Sequence, residues 1–271
     1  MSLCVMVKGG GDLGTGVAWR LHRCGFQVLV TDIAQPTAIR RTVAFASAIY
    51  DGYVTIENVV GRLVETQDEV SRCWSARQVA VMVDQESRIL PQLKPDVLVD
   101  AIVAKHNLGT KIDDAPVVIA LGPGFTVVED CHAVVETNRG HNLGRVIWQG
   151  SAEPNTGIPG TVDGENSRRI LKAPADGDFH PVRQIGDMVR AGEIVAYVDN
   201  LPIQAQLDGI VRGLLHADLS IKTGMKVGDI DQRAVFSHCY TISDKSLAVA
   251  GGVLEAILTM RNLLDNLQGY R

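Results

Sequence analysis

Long apolar runs and an excess of basic residues are both missing from this sequence. No apolar run approaches the ~20 residues that a helix needs to span a bilayer. The amino terminus enters a strand-like pattern without the apolar region of a signal peptide. The formal net charge is −5, whereas nucleic acids and anionic membranes bind basic faces. These absences predict a cytoplasmic protein that has neither nucleic acid nor membrane as a partner.

Paired cysteines are missing as well. The chain has five cysteines, an odd number, and no two of them form a C-x-x-C motif. Scattered cysteines of this kind indicate reduced thiols rather than a disulfide framework. Cys131, His132 and His141 lack any standard metal-ligand spacing, so no metal site is predicted. With 271 residues, of which 46% are hydrophobic, the chain is long enough for two modest domains.

The amino-terminal residues follow the order of a dinucleotide-binding fingerprint. An apolar run at 3–7 leads into a glycine-rich turn and a helical pattern, and a second apolar run ends at Asp32. In such a fingerprint the turn approaches a phosphate at the helix amino terminus and the acid binds a ribose. An alternative, that the glycines serve only packing, stays open. The cofactor-binding residues predicted from this motif are Gly9, Gly11, Asp12, Leu13, Gly14, Thr15 and Asp32.

Further apolar runs at 53–60, 78–84, 96–102 and 115–121 predict more strands. A helix is predicted between the first two, with Thr66 as N-cap and Glu69 completing a capping box. Alternating strands and helices favour a mostly parallel, Rossmann-like α/β sheet, whose ligands lie beyond the carboxyl ends of the strands. We assign residues 1–168 to this domain.

The carboxyl-terminal half contains a repeat, because residues 176–195 and 208–227 match at an offset of 32. The repeat is similar to the half-motif of biotinyl and lipoyl carrier domains, which implies a barrel-sandwich hybrid over residues 169–235, inserted in or appended to the sheet domain. Carriers attach their cofactor to a lysine at a hairpin tip. No lysine occurs between Lys172 and Lys222, so an acylated carrier is excluded.

The apolar periodicity in residues 236–271 predicts a helix that packs back on the sheet.

The central stretch 122–146 is rich in reactive and charged groups. Cys131 and His132 are candidate catalytic residues, because an imidazolium favours a thiolate. Neighbouring side chains on a strand point to opposite faces, however, and a buried Cys131 is the alternative. Arg139 and His141, which have no run of acids nearby in sequence, predict contacts to an anionic ligand. A salt-bridged hairpin is the structural alternative.

Six motifs carry a resemblance to a known family: "GGGDLGTGVAWRL", "DAIVAKHNLGT", "GPGF", "ETNRGHNLGRVI", "PNTGIPGTVDG" and "KVGDIDQR". Together they resemble the YqeB-type accessory proteins of selenium-dependent molybdenum hydroxylases. The amino-terminal part is also similar to xanthine dehydrogenase accessory factors. The resemblance implies maturation of a molybdenum hydroxylase, with that enzyme or other maturation proteins as partners, but it implies no catalytic residue.

The motif and the resemblance agree on a phosphate-bearing ligand. Molybdenum cofactor is a pterin with a phosphate, and some forms are dinucleotides. Lys105 and Asn107, after the run at 96–102, are predicted to add donors to such a ligand. We expect binding and hand-over of the cofactor. The alternatives are an NAD(P)-dependent oxidoreductase, with His132 or His141 as the acid, and a non-enzymatic docking protein. A homodimer is left open.

Overall fold

The computed structural model describes residues 2–155 and 167–268, with side chains up to residue 261. A nine-stranded sheet dominates the first part of the chain. Its strands are β1 (Cys4–Lys8), β2 (Gln27–Asp32), β3 (Tyr53–Ile56), β4 (Val59–Leu63), β5 (Val79–Val83), β6 (Val97–Asp100), β7 (Val117–Leu121), β8 (Ala133–Val135) and β9 (Val146–Ile147). Their order across the sheet is β3-β4-β5-β2-β1-β6-β7-β8-β9.

The described part of the chain contains five helices. They are α1 (Asp12–Arg23), α2 (Ala48–Asp51), α3 (Gln67–Ser75), α4 (Leu90–Leu93) and α5 (Asp244–Gln268), with 3-10 turns at Arg41–Val43, Phe45–Ser47 and Phe236–Cys239. The predicted capping box starts α3: the Glu69 amide donates to the Thr66 hydroxyl at 3.3 Å, and the Thr66 amide donates to the Glu69 carboxylate at 3.2 Å. That prediction is confirmed.

The predicted fold class, a Rossmann-like mostly parallel sheet with a barrel-sandwich hybrid, is wrong. The sheet is mixed, because β3 pairs antiparallel with β4 and β8 pairs antiparallel with β9. The apolar run 53–60 is a hairpin rather than one strand, since Glu57 and Asn58 take positive φ angles of 43° and 68°. The connections at 101–116 and 122–132, which the structure describes in full, contain no helix. A regular strand–helix alternation is therefore absent from that side of the sheet.

The second part of the chain forms two four-stranded antiparallel sheets in place of the predicted barrel-sandwich hybrid. Their orders are β10-β17-β15-β12 and β14-β13-β11-β16. The strands are β10 (Ile170–Lys172), β11 (Gly177–Pro181), β12 (Met188–Val189), β13 (Ile194–Val198), β14 (Leu201–Gln204), β15 (Gly209–Leu214), β16 (Ser220–Ile221) and β17 (Lys226–Asp231).

The sequence repeat accounts for this pairing. One copy gives β11, β12 and β13, and the other gives β15, β16 and β17. The short middle strand of each copy pairs with the first strand of the other, β12 with β15 and β16 with β11. Each copy thus contributes to both sheets, around an apolar core that is separate from the core of the nine-stranded sheet. The domain limits predicted at residues 168 and 235 stay predictions.

Helix α5 packs against α1 and the nine-stranded sheet. Val249, Ala250 and Val253 are buried in the same core as the central strands. The two helices approach closely at Gly16, where an added Cβ would lie 2.8 Å from the Ser246 Cβ. Leu264, part of the predicted apolar stripe, lies outside the described side chains. None of the described helices combines the length and apolarity needed to cross a membrane.

Direct contacts join the two parts of the chain. The Leu214 amide donates to the Ile39 carbonyl at 2.8 Å, and Arg41 Nε donates to the Leu214 carbonyl at 2.8 Å. Gly213 allows this approach, because a Cβ there would lie 2.7 Å from the Ile39 side chain. The contact leaves a cleft beside it, between the carboxyl edge of the nine-stranded sheet and the face of β15 and β17.

Candidate functional site

The cleft between the two parts of the chain has a volume of about 500 Å³. One side is formed by loops that follow β6, β7 and β8 and by the first turns of α1 and α5, and the other by residues around β10, β15 and β17. Positive charge predominates although the chain as a whole carries −5. Among the described residues, seven cationic side chains and four carboxylates line it: Arg40, Lys105, Arg139, Arg169, Arg212, Lys226 and Lys245, with Asp12, Glu136, Glu153 and Asp229.

The glycine turn lies at the start of α1, beside this cleft. Gly9 has a φ of +95°, and a Cβ there would lie 2.8 Å from the Ala101 carbonyl oxygen. A Cβ at Gly14 would collide with the Gly9 carbonyl. An added Cβ at Gly11 meets nothing within 4 Å. Packing therefore requires Gly9 and Gly14, whereas Gly11 faces open space and its predicted contact with a ligand stays a prediction.

The polar residues that open α1 have partners within the protein. Asp12 Oδ1 accepts from Arg40 Nη1 at 3.0 Å and from Ser246 Oγ at 3.0 Å. The buried Thr15 hydroxyl donates to the Gly10 carbonyl at 2.9 Å and accepts from the Phe45 amide at 2.8 Å. Leu13 packs against the core of the sheet. Of these three predicted cofactor-binding residues, only Asp12 lines the cleft.

Asp32 stabilises the glycine turn. Its carboxylate accepts from the Gly10 amide at 2.7 Å and from the Ile33 amide at 2.8 Å. Burial raises the pKa of Asp32, and the two amide hydrogen bonds oppose that rise. Asp32 is not among the cleft-lining residues. The predicted ribose contact of Asp32 stays a prediction, and the structure gives this carboxylate a local role instead.

Lys105 and Asn107 follow β6 but differ in their surroundings. Lys105 is exposed and lines the cleft. The Asn107 amide nitrogen donates to the Thr110 carbonyl at 2.8 Å and to Asp130 Oδ1 at 2.9 Å. Its oxygen accepts from the amides of Gly109 and Thr110. Asn107 therefore stabilises the loop to which it belongs, and of the two residues Lys105 alone lines the cleft.

The stretch that follows β8 is organised by a buried carboxylate. Glu136 is 1% exposed and accepts from the amides of Thr137 at 2.7 Å, Asn138 at 2.6 Å and Glu153 at 2.8 Å. These hydrogen bonds fix the backbone of three residues that line the cleft. Arg139 lines the cleft beside them and forms an ion pair with Asp244 at 3.0 Å. No run of acids lies near Arg139 in the sequence, and the structure supplies its acidic partner from 105 residues away.

His141 lies in the same stretch but away from the cleft. Its side chain is exposed and is not among the cleft-lining residues. The turn around it is closed by backbone hydrogen bonds from Gly144 to Glu136 and from Leu143 to Gly140. This geometry gives no support to the predicted contact between His141 and an anionic ligand.

Lys245, in the first turn of α5, is a cleft residue that the sequence analysis missed. Its side chain is half-buried, and no described residue forms a hydrogen bond or an ion pair with it. Burial, followed by the charge of Arg139, lowers the pKa of Lys245. A signal was present in the sequence, because a cation is unfavourable in the first turn of a helix. A lysine at this position therefore indicates a role other than stabilising the helix.

Three further cations line the cleft from the second part of the chain. Asp229 Oδ2 accepts from Arg169 Nη1 at 2.9 Å and lies 3.4 Å from Lys226 Nζ. Arg212 Nη1 lies 3.6 Å from Asp231 Oδ2. Burial and the charge of Arg40 lower the pKa of Arg212. None of these cations was predicted from the sequence as part of a site.

The two candidate catalytic residues lie elsewhere. Cys131 is fully buried, and burial together with the charge of Asp130 raises the pKa of its thiol to about 12. His132 Nδ1 accepts from the Val118 amide at 3.0 Å, in the first half of β7, and burial lowers its pKa. Neither residue lines the cleft. The geometry argues against both as catalytic groups for a ligand bound there.

No described group of three or more His, Cys, Asp or Glu side chains is arranged to hold a metal ion. The cleft, with its surplus of cations, is thus suited to an anion. Electrostatic attraction and charge-assisted hydrogen bonds are the interactions that it offers.

Comparisons with solved structures and family models give little further information. No family model matches the chain. An aspartoacylase family protein from Mesorhizobium loti is 12% identical, with 85% of each chain covered and a TM-score of 0.27. A succinylglutamate desuccinylase from Silicibacter is 13% identical, with 84% of each chain covered and a TM-score of 0.27. At these TM-scores the likeness carries no inference about activity.

A curated relative gives a clear sequence match. It is the uncharacterized protein YqeB of Escherichia coli (strain K12), which is 47% identical over 256 residues. The match covers 94% of this chain and 47% of YqeB, so the chain spans about half the length of that relative. The likeness to YqeB-type proteins that the motifs predicted is confirmed, and this chain is similar to YqeB over nearly all of its own length.

Proposed function

We propose that the cleft binds a phosphate-bearing cofactor, a pterin or a nucleotide, and holds it for modification or delivery. The excess of cations over carboxylates around the cleft carries this proposal. Lysine and arginine are the side chains that recognise phosphate, lysine as a point charge and arginine as a planar fork. The motif resemblance adds the setting, which is maturation of a selenium-dependent molybdenum hydroxylase.

Size and position agree with a small-molecule site. Ligand pockets are typically 300–1,000 Å³, and this cleft is about 500 Å³. It lies where loops leave the carboxyl ends of parallel strands, the usual place for ligands in sheets of this kind. Asp12 is paired with Arg40, whereas Glu136 is held by three neutral amides and keeps its negative charge, so a ligand meets the excess of cations that remains after both carboxylates are counted.

Binding is favoured over catalysis because the reactive candidates are not among the residues that line the cleft. Cys131 and His132 are held in and against the sheet. An NAD(P)-dependent oxidoreductase receives less support, since Asp32 is engaged with Gly10 and neither His132 nor His141 lines the cleft. NADH carries a diphosphate and is expected to bind under either function, so oxidation of NADH by the protein, rather than its binding, separates the two functions.

Calorimetric titration of the folded protein with pyrophosphate and with AMP tests the proposal. Lys245→Gln should weaken binding about tenfold or more, because one charge-assisted hydrogen bond contributes ~1.5–3 kcal/mol. Lys94→Gln is the matched control, since Lys94 is exposed and precedes β6 at the opposite edge of the sheet. The proposal is overturned if neither probe binds, or if the two variants bind equally well.

A further inference from the structure

Cations that are incompletely neutralised lie on both sides of the cleft. We call Lys105 and Lys245 the amino-terminal wall, and Lys226 and Arg212 the carboxyl-terminal wall. We propose that the cleft takes a ligand with two phosphate groups, one for each wall, so that the ligand bridges the two parts of the chain. This inference rests on the proposed function and specifies the class of ligand within it.

The amino-terminal wall has no neutralising carboxylate in the described part of the chain. Neither Lys105 nor Lys245 has a carboxylate within ion-pair distance there. The carboxylates whose charge reaches Lys245 are those of Asp12, Glu136 and Asp244. Each is engaged: Asp12 with Arg40 and Ser246, Glu136 with three amides, and Asp244 with Arg139. Within the described residues, no carboxylate forms an ion pair with either lysine, so an anionic ligand would gain a direct contact with both.

The carboxyl-terminal wall shares its carboxylates with other cations. Asp229 Oδ2 serves Lys226 at 3.4 Å and also accepts from Arg169 at 2.9 Å. Asp231 Oδ2 lies 3.6 Å from Arg212 but binds Arg233 at 2.6 Å. Lys226 and Arg212 thus each lie farther from their carboxylate than a second cation does. An anion between them would make the stronger contact.

The two walls belong to different structural units, and this arrangement is the basis for proposing two phosphates. Lys105 and Lys245 follow β6 and begin α5, beside the nine-stranded sheet, whereas Arg212 and Lys226 lie on β15 and β17. A single phosphate near one wall does not neutralise the cations of the other wall. A diphosphate, or a ligand with phosphates at two positions, satisfies both walls and contributes a link between the units.

Two matched pairs of probes test this inference by calorimetry at fixed ionic strength. Orthophosphate is compared with pyrophosphate, which has adjacent phosphates, and AMP with adenosine 3′,5′-bisphosphate, whose phosphates are separated. In at least one pair we expect the second phosphate to increase affinity by about tenfold or more. Lys105→Gln and Lys226→Gln should each remove most of that gain. Lys94→Gln should keep it.

Both wall variants are suitable because Lys105 is exposed and the Lys226 side chain is 38% exposed. Thermal melting confirms that each variant is folded, and Lys226→Arg, which keeps the charge, should restore the gain. Binding of single phosphates without any gain from the second phosphate overturns the inference and leaves the proposed function standing. A gain that persists in both glutamine variants also overturns it. No binding of any probe by the folded parent overturns the proposed function itself.

Discussion

Arg139 and Asp244 form a two-point ion pair, in which Arg139 Nη1 donates to Asp244 Oδ2 and Nη2 donates to Oδ1, each at 3.0 Å. The pair joins the loop after β8 to the first turn of α5. It also lowers the pKa of Asp244 to about 2. The positive charge of Arg139 is therefore largely neutralised, whereas Lys245, one residue beyond Asp244, remains available to a ligand.

Removal of the pair as a unit should have little effect on anion binding. The double variant Arg139→Ala/Asp244→Ala keeps the net charge of the cleft, so pyrophosphate affinity should stay within about threefold of the parent. Lys245→Gln should weaken it about tenfold or more, because it removes a charge without a partner. His141→Ala, in an exposed side chain outside the cleft, should have no effect. Calorimetry on the three variants measures this, and an equal loss in the first two would show that Arg139 binds the ligand directly.

Anion affinity should depend on pH through Lys245. Burial and Arg139 lower the pKa of Lys245, while Asp12, Glu136 and Asp244 oppose that shift. Only the protonated amine attracts a phosphate, so affinity should be complete below this lowered pKa and should fall as the pH rises through it. AMP titrations between about pH 8 and 10, where the phosphate is fully ionised, measure this dependence. Lys245→Arg should flatten the profile, because arginine keeps its charge, and an unchanged profile would contradict the assignment.

Thiol reactivity should separate Cys131 from Cys24. Cys131 is fully buried, and the pKa of its thiol is raised to about 12, whereas Cys24 is exposed. Because the thiolate is the reactive form, iodoacetamide should label Cys24 and leave Cys131 intact in the native protein. Peptide mapping by mass spectrometry detects both sites, and a denatured sample provides the control. Rapid labelling of Cys131 in the folded protein would restore it as a candidate nucleophile.

The glycine turn should respond differently at two of its positions. Gly14→Ala places a Cβ against the Gly9 carbonyl and should destabilise the protein by ~1–3 kcal/mol or more, as overpacking does. Gly11→Ala meets no atom within 4 Å and should cost less than about 1 kcal/mol. Chemical denaturation compares the two variants. If Gly11→Ala keeps its stability and also binds AMP as the parent does, this turn has no contact with the ligand.

Local patterns in the sequence predicted local structure well. The capping box at Thr66 and Glu69 is present, and the apolar run 115–121 contains β7, which is buried throughout. The run 53–60 was misleading because Glu57 and Asn58 turn the chain with positive φ angles that the apolar pattern does not reveal. The fold class failed for a related reason: strand periodicity does not specify whether a neighbouring strand is parallel or antiparallel.

The candidate site was only partly predictable. Asp12, Lys105 and Arg139 were predicted and do line the cleft. Arg212 and Lys226 are more than one hundred positions from Lys105, and they reach the cleft through the contact between Leu214 and Ile39. No pattern in the sequence encodes that contact. The ion pair of Arg139 was not predicted either, since its partner Asp244 is 105 residues away.

The central claim is that the cleft holds a phosphate-bearing cofactor, and the content of the purified protein tests it most directly. The parent, Lys94→Gln and the double variant Lys245→Gln/Lys226→Gln are purified in parallel from a molybdate- and selenite-fed source, and the phosphorus-bearing small molecules released on denaturation are quantified by mass spectrometry. We predict a pterin or nucleotide phosphate in the parent and in Lys94→Gln, and its loss from the double variant. Equal amounts in all three proteins, or no such molecule in the parent, would contradict the account.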